Sequence, residues 1–204
     1  LKLGFKPSEH DECVFYYGTT IFIVYTDDTI LMGPDKKEIN KLVGKLGEVF
    51  NIEDQGELSD YLGIKINRTS EGVIEWTQPT LIQSILKDLK LDGESIKGKQ
   101  NKPNIKPIPA NSTVALTDHK DSPNHDTKEF DYRHVIGKLL YLEKSTRPDI
   151  SCAVHQCARH SANPKKQHTA AVKRIGRYLL GTMDKGLIMK PNQEGMECWV
   201  DAAH

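Results

Sequence analysis

Two adjacent aspartates, Asp27 and Asp28, stand between two apolar runs, and this arrangement restricts the fold of the chain more than any other feature. Residues 21–25 and 29–33 are rich in β-branched and aromatic side chains, which favour β-strands. Because both faces of these runs are apolar, we expect central strands that are covered on both sides. Two carboxylates at the end of such strands repel each other and lose solvation unless a positive charge lies between them.

Two interpretations of the aspartate pair remain open. Aspartate is common in turns, so the pair is compatible with a hairpin turn. Tight hairpins prefer glycine, however, and the absence of glycine between Ile21 and Leu31 counts against a tight turn. A divalent cation bound by both carboxylates would offset their repulsion. Oxygen ligands favour magnesium or manganese, which activate a hydroxyl and stabilise a departing pyrophosphate.

The remaining pattern alternates short strands with amphipathic helices and predicts an α+β fold. Asp35 and Glu38 form a capping pattern at the start of the first helix. Residues 92–130 are rich in proline and glycine, so we interpret them as a linker or a long irregular excursion. The predicted elements are helices over 35–50, 79–89, 131–144, 148–161 and 165–180, with strands at 61–66, 73–76, 187–189 and 198–201.

The formal net charge of zero would argue against a nucleic-acid ligand, but the charges are unevenly distributed. Residues 133–178 carry 10 basic and 2 acidic side chains, whereas residues 1–96 carry 10 basic and 17 acidic ones. Such asymmetry predicts that one part of the chain contacts polyanions. A solvated helix face is the alternative explanation for these cations.

The four cysteines include no CxxC pair, which indicates a reducing compartment rather than a disulfide framework. Cys152, His155, Cys157 and His160 together have the composition of a zinc-ligand set. On one helix these side chains point in different directions and cannot converge on a tetrahedral ion, and Cys157 falls on a predicted core face. The sequence contains no run of about 18 apolar residues, so we expect no membrane span.

Tyr25-Thr26-Asp27-Asp28 between two apolar strands resembles the Tyr-x-Asp-Asp box of reverse transcriptases. Further motifs follow in order, and the whole series is similar to the Pol polyprotein of copia-type LTR retrotransposons (Pseudoviridae). The similarity runs from residue 4 to residue 202, except for the region 93–130. The other motifs are Gly-Phe-Lys-Pro-Ser at 4–8, Asp-Glu-Cys-Val-Phe at 11–15, Tyr-Leu-Gly-Ile at 61–64, Thr-Gln-Pro at 77–79, Tyr-Arg-His-Val-Ile-Gly-Lys-Leu-Leu-Tyr-Leu at 132–142, Ser-Thr-Arg-Pro-Asp-Ile at 145–150 and Trp-Val-Asp-Ala at 199–202.

The resemblance implies a fold and a division of the chain. It implies a partial polymerase palm with antiparallel hairpins and packing helices, followed by thumb and connection helices and the first strand of a truncated ribonuclease H domain. Asp201 would match the first metal-binding carboxylate of that ribonuclease H domain. The implied segments are the C-terminal part of the palm at 1–78, the thumb start and an irregular linker at 79–130, a helical basic connection at 131–185, and the start of ribonuclease H at 186–204.

The resemblance also implies an RNA-directed DNA polymerase. Asp27 and Asp28 would be catalytic ligands of two magnesium (or manganese) ions, and Tyr25 and Thr26 would lie near the primer terminus. In this family the primer 3′ hydroxyl attacks the α-phosphorus of a deoxynucleoside triphosphate, directed by an RNA or DNA template. Thr26 replaces the commoner Val, Ala or Met and, being β-branched, is expected to fit a strand. The strands around 61–66 and 73–76 resemble the region that grips the primer.

By the same resemblance, the basic segment would follow the template–primer backbone as it leaves the palm, through salt-dependent phosphate contacts. The residues predicted to make these contacts are Arg147, Arg159, Lys165, Lys166, Lys173, Arg174 and Arg177.

The implied partners are a template with its primer, deoxynucleoside triphosphates and the remainder of the Pol polyprotein, with no membrane. The implied location is a cytoplasmic virus-like particle or the nucleus. The family places a third polymerase aspartate in an earlier strand that residues 1–25 do not contain, so we expect an incomplete site and an inactive isolated chain. The alternatives are a catalytically inactive nucleic-acid-binding remnant of a decayed retroelement and, disfavoured by the downstream motifs, an unrelated metal-dependent phosphotransferase.

Overall fold

The computed structural model of the chain describes residues 3–92, 106, 108–110 and 123–190. The chain divides into two compact units, Leu1–Tyr61 and Leu62–His204, which we call unit 1 and unit 2. Both units combine antiparallel strands with helices, so the α+β class expected from the sequence is confirmed. In the part of the chain that is described, no helix is long and apolar enough to cross a membrane.

Unit 1 is built on an antiparallel sheet whose strands follow one another in sequence order. The sheet consists of β1 (Lys6–Pro7), β2 (Val14–Tyr17), β3 (Thr20–Tyr25) and β4 (Asp28–Met32). Unit 1 also contains helix α1 (Lys36–Gly47) and strand β5 (Asp60–Tyr61). The Asp35 carboxylate caps α1 by accepting a hydrogen bond from the Lys37 amide at 2.8 Å. Glu38, which the sequence assigned to the same cap, instead accepts a hydrogen bond from the buried Thr20 hydroxyl at 3.0 Å. That bond holds α1 against the start of β3.

One face of the unit 1 sheet is covered and the other is open. Leu42 and Leu46 of α1 are buried with Phe5. The opposite face carries Tyr16 and Met32, which are 43% and 40% exposed. In the described part of unit 1, the prediction that both faces are covered is therefore wrong, because the buried cluster lies on one face only. Partly buried side chains that pack on the cluster are Leu3, Phe15, Tyr17, Phe22 and Leu31.

Unit 2 packs its helices around a larger apolar core. Its elements are β6 (Ile64–Arg68), β7 (Ile74–Thr77), α2 (Pro79–Asp88), α3 (Tyr132–Ser145), a 3-10 turn (Pro148–Ile150), α4 (Ser151–Ala158), α5 (Lys166–Leu180) and β8 (Leu187–Met189). The helix predicted over 148–161 is thus a 3-10 turn followed by α4. Fully buried core side chains include Ile82, Ile85, Val135, Leu139, Leu142, Ile150, Val154, Val172, Ile175 and Leu179.

Strand β8 lies at the edge of the unit 2 sheet, beside a strand that precedes it by more than a hundred residues. It pairs antiparallel with β7, with Leu187 opposite Trp76. Gly186 permits this approach, since a Cβ there would lie 2.0 Å from the Trp76 carbonyl oxygen. Residues 187–189, which the sequence assigned to a ribonuclease H start at 186–204, thus belong to the sheet of unit 2. Residues 191–204, including Asp201, lie outside the described residues.

A buried arginine joins the end of α3 to the end of α5. Arg147 is 1% exposed and donates hydrogen bonds to both carboxylate oxygens of Asp149, at 2.9 and 2.8 Å. It also donates to the carbonyl oxygen and the hydroxyl of Thr182, each at 2.8 Å. The Tyr178 hydroxyl donates to Asp149 at 2.7 Å, and the Arg147 guanidinium lies 5.5 Å from the centre of the Tyr178 ring.

The same contacts govern the ionisation of Asp149. Burial raises the pKa of the Asp149 carboxyl, but the hydrogen bonds from Arg147 and Tyr178 and the Arg147 charge outweigh burial, so the net pKa is lowered. The carboxylate therefore stabilises the fold above the pKa of an unfolded aspartate, about 3.9, and this stabilisation is lost as pH falls through the lower pKa of the folded state.

We expect Asp149→Asn to lower the free energy of unfolding by about 1–3 kcal/mol at neutral pH, because it leaves a buried guanidinium without its charged acceptor. The difference from the parent chain should shrink as pH falls below about 4. Urea unfolding followed by helical circular dichroism measures both effects. Asp184→Asn, at an exposed aspartate, is the matched control. A difference that stays constant down to the lowest pH would contradict this assignment.

Candidate active site

The aspartate pair lies at the tip of the β3–β4 hairpin. Tyr25 and Asp28 are cross-strand partners, and Thr26 and Asp27 form the two-residue turn between them. The absence of glycine therefore does not prevent a tight hairpin, and the expectation drawn from that absence is wrong. Apolar residues pair across the two strands, with Ile23 opposite Ile30. This pairing holds the two ends of the turn together without a glycine.

Thr26 takes the backbone conformation that glycine would otherwise supply. Its φ is +51°, whereas that of Asp27 is not positive, a combination typical of a type II′ turn. Thr26 is thus a turn residue and not a strand residue, contrary to the expectation from its β-branched side chain. A β-branched residue at positive φ is strained by about 1–2 kcal/mol, and strain of this kind is frequent at functional sites.

Strand alternation decides where the site residues point. Asp28 lies on the same face as Ile30 and Met32 and opposite Tyr25, so its carboxylate borders the open face of the sheet. Asp27 and Asp28 are both exposed, and Tyr25 is 56% exposed. The hairpin tip therefore presents two hard oxygen ligands and an aromatic ring to solvent.

Two residues from outside the hairpin lie close to it. The Val24 amide donates to the Cys13 carbonyl oxygen at 2.9 Å, which places Cys13 beside the end of β3. Burial raises the pKa of the Tyr61 phenol, and electrostatic interactions with Asp28, Tyr25 and Cys13 raise this pKa further. Tyr61 was predicted only as part of a primer-gripping strand, and the position of Cys13 was missed. The position of Cys13 follows from the register of β2 and β3, which the sequence alone does not show.

The two aspartates do not form part of a larger acidic cluster in the described chain. Across residues 3–92, 106, 108–110 and 123–190, no group of three or more His, Cys, Asp or Glu side chains could hold a metal ion. Cys157 is buried at 1% exposure, which confirms its predicted place on a core face. Burial raises the pKa of its thiol to about 12 despite a weaker opposing effect of Tyr132.

The basic residues predicted to contact nucleic acid separate into two groups, all in unit 2. Three are already engaged: Arg147 is buried with Asp149, Lys165 donates to the Asn124 amide oxygen at 2.6 Å, and Lys173 forms an ion pair with Glu129 at 2.6 Å. Arg147 is thus a structural residue, contrary to its predicted phosphate contact. The remaining residues have no acidic partner in the described part of the chain: Arg159, Lys166, Arg174 and Arg177.

Comparison with known proteins places these features in a family. Residues 1–101 match the family model described as reverse transcriptase (RNA-dependent DNA polymerase). The chain is 31% identical to the retrovirus-related Pol polyprotein from transposon RE1 of Arabidopsis thaliana and 30% identical to that from transposon TNT 1-94 of Nicotiana tabacum. These alignments cover 99% and 94% of the chain but only 13% and 14% of the polyproteins.

A shorter relative matches over a larger share of its own length. The putative transposon Ty5-1 protein of Saccharomyces cerevisiae is 25% identical over the whole chain, which spans 64% of that protein. No solved structure matches the chain.

We expect Thr26→Asn to stabilise the β3–β4 hairpin by up to about 1 kcal/mol, because asparagine tolerates positive φ better than a β-branched residue does. Thr29→Asn in β4 is the matched control and should destabilise, since asparagine is poor in strands. Amide hydrogen exchange of β3 and β4 measures both. Faster exchange in Thr26→Asn than in the parent chain would show that the turn is not strained.

Proposed function

The chain belongs to the reverse transcriptase region of copia-type retrotransposon Pol polyproteins, and we propose that its Tyr25–Asp28 hairpin carries two carboxylates of the site for RNA-directed nucleotidyl transfer. The observation that supports this function is the pair of exposed carboxylates at a strained hairpin tip. The chain spans about one seventh of the polyproteins it matches, so the activity proposed is that of the longer protein.

Asp27 and Asp28 suit a hard divalent cation. The two residues are consecutive and exposed, and carboxylate oxygens are the ligands that magnesium prefers. Magnesium or manganese bound there would supply activation of the primer hydroxyl and stabilisation of the charge on the departing pyrophosphate. Bringing two like charges together at one turn is unfavourable without such a counter-charge.

The other residues of the hairpin would orient the substrates. In the proposed reaction the primer 3′ oxygen forms a bond to the α-phosphorus, the bond to pyrophosphate breaks, and the hydroxyl proton passes to solvent. The turn at Thr26 places Asp27 between the ends of the two strands, next to Asp28 in the chain. The exposed Tyr25 ring lies across from Asp28 and would support the last base of the primer.

The proposed partners follow from the same function. They are an RNA or DNA template with its primer, deoxynucleoside triphosphates and the rest of the Pol polyprotein, within a cytoplasmic virus-like particle or the nucleus. The role of Asp201 in a ribonuclease H site, which lies outside the described residues, stays a prediction.

We expect Asp27→Asn in the polyprotein that contains this chain to reduce primer extension by about 100-fold or more, because charge stabilisation by a metal is worth several kcal/mol. The same substitution should weaken Mn²⁺ binding measured by electron paramagnetic resonance. Glu12→Gln, at an exposed carboxylate in the same unit, is the control and should change neither measurement. Normal extension by Asp27→Asn would exclude this carboxylate from the reaction.

A second candidate function is nucleic-acid binding without catalysis, favoured by the cations of unit 2 that have no acidic partner among the described residues. We expect the isolated 204-residue chain to bind a primed template but not to extend it, since two carboxylates alone hold divalent cations weakly. Gel-shift and primer-extension assays on the same preparation separate binding from catalysis. Robust extension by the isolated chain would contradict the proposal that its site is incomplete.

A further inference from the structure

A fully buried histidine helps to close the first turn of α5. His168 is 0% exposed, and its Nδ1 atom accepts a hydrogen bond at 2.9 Å from the backbone amide of Lys165, which precedes the helix. This bond satisfies an amide donor that the helix itself leaves free. A backbone amide can only donate, so Nδ1 carries no proton and the ring is neutral. The closed turn therefore requires the unprotonated form of His168.

A second histidine ring and the helix dipole add to this requirement. The His160 ring, just after α4, stacks on His168 with ring centroids 3.9 Å apart and an angle of 13° between the ring planes. Two protonated rings at this separation repel each other, and a positive charge in the first turn of a helix opposes the helix dipole. A proton on His168 thus removes the hydrogen bond to Lys165 and introduces repulsion at the same place.

Most other charges near the start of α5 are positive. The acidic side chains of the adjoining segment 123–131 are Asp126, Glu129 and Asp131, and each already accepts a hydrogen bond from another group. A further proton on a histidine here therefore adds charge to a basic region. The basic and titratable side chains on the described segments that adjoin the start of α5 include His125, Lys128, Arg133, Arg159, Lys165 and Lys166.

The neighbouring His125 has hydrogen bonds of a different kind. Its Nδ1 atom lies 2.7 Å from the Thr169 hydroxyl, and its Nε2 atom lies 2.8 Å from the Phe130 carbonyl oxygen. A hydroxyl and a carbonyl oxygen can both accept, so this ring keeps both hydrogen bonds when it carries two protons. Protonation is therefore incompatible with the hydrogen bonding of His168 but not with that of His125.

The first turn of α5 also holds the segment that precedes α3. The Lys166 amide donates to the Pro123 carbonyl oxygen, and the His125 amide donates to the Pro164 carbonyl oxygen, each at 2.9 Å. These two bonds attach residues 123–125 to the start of the helix. Opening of the first turn therefore frees this segment as well.

We propose that His168 makes the first turn of α5 a pH-sensitive closure, which opens when this ring gains a proton and then releases residues 123–125. The ring of the open turn is protonated as pH falls below about 6.5, the ordinary pKa of histidine. The stabilisation of the closed turn is thus complete above this pH and is lost progressively below it. The inference goes beyond the proposed function and does not depend on it.

The test measures amide hydrogen exchange of the full chain between about pH 7.5 and 5, with protection expressed relative to the intrinsic exchange rate at each pH. We expect protection of the Lys166 and Thr169 amides to fall about tenfold per pH unit below about 6.5, because opening takes up one proton. In H168Q the side-chain oxygen can accept from Lys165 without titrating, so protection should stay constant. H10Q, at an exposed histidine of unit 1, is the matched control and should keep the pH dependence of the parent. Constant protection in the parent, or an equal fall in H168Q, would overturn the proposal.

A second measurement on the parent chain does not depend on the folding of a variant. Nitrogen NMR of the His168 ring should show an unprotonated Nδ1 at pH 7.5 and a protonated ring over the pH range in which the Lys166 amide loses protection. A ring that gains its proton while the Lys166 amide stays protected would overturn the proposal. The amide of Leu139, in the middle of α3, should keep its protection, and an equal loss there would show global unfolding instead of a local closure.

Discussion

The burial of one positive charge organises the helical half of the molecule. A guanidinium taken out of water costs several kcal/mol unless each donor finds an acceptor. Arg147 meets that demand only when Asp149 and the carbonyl of Thr182 both lie within reach, although they belong to segments more than thirty residues apart. The end of α3, the 3-10 turn and the end of α5 must therefore take up their positions together. An apolar core alone tolerates small sliding movements, but these directional hydrogen bonds do not.

How far the sequence predicts the structure depends on the range of the interactions. The limits of α2, α3 and α5 follow from apolar periodicity and from local signals such as Pro79 and Asp131, because those interactions are made within a few residues. Arg147 was misplaced on the surface because arginines are usually exposed and its Thr182 acceptor is distant in sequence. The open face of the unit 1 sheet was misjudged for a related reason, since an apolar strand pattern does not show which neighbours are present.

The candidate site likewise contains features that the sequence predicts and features that depend on distant contacts. Asp27 and Asp28 are identifiable from sequence because adjacent carboxylates between apolar strands are unusual. The apolar pattern predicts the two flanking strands, but the lack of glycine argued against the tight turn that joins them. The positive φ of Thr26 was not predicted, because the strand register imposes it against the preference of the residue. The proximity of Tyr61 and Cys13 to the hairpin arises from tertiary packing and carries no local signal. The sequence shows a basic face on α5, but it does not show that Lys173 and Lys165 are already bonded to Glu129 and Asn124.

The pairing of β8 with β7 has a consequence for the order in which unit 2 folds. Its sheet brings together Trp76 and Leu187, so the helices α2 to α5 all lie inside a loop that this pairing closes. Contacts between residues so far apart in sequence form late. Closing the long loop costs conformational entropy before the strand pairing contributes any stabilisation. Until β8 is synthesised, β7 presents an unpaired edge that is open to pairing with other chains. A nascent chain that stops before Gly186 would thus keep this edge of β7 unpaired.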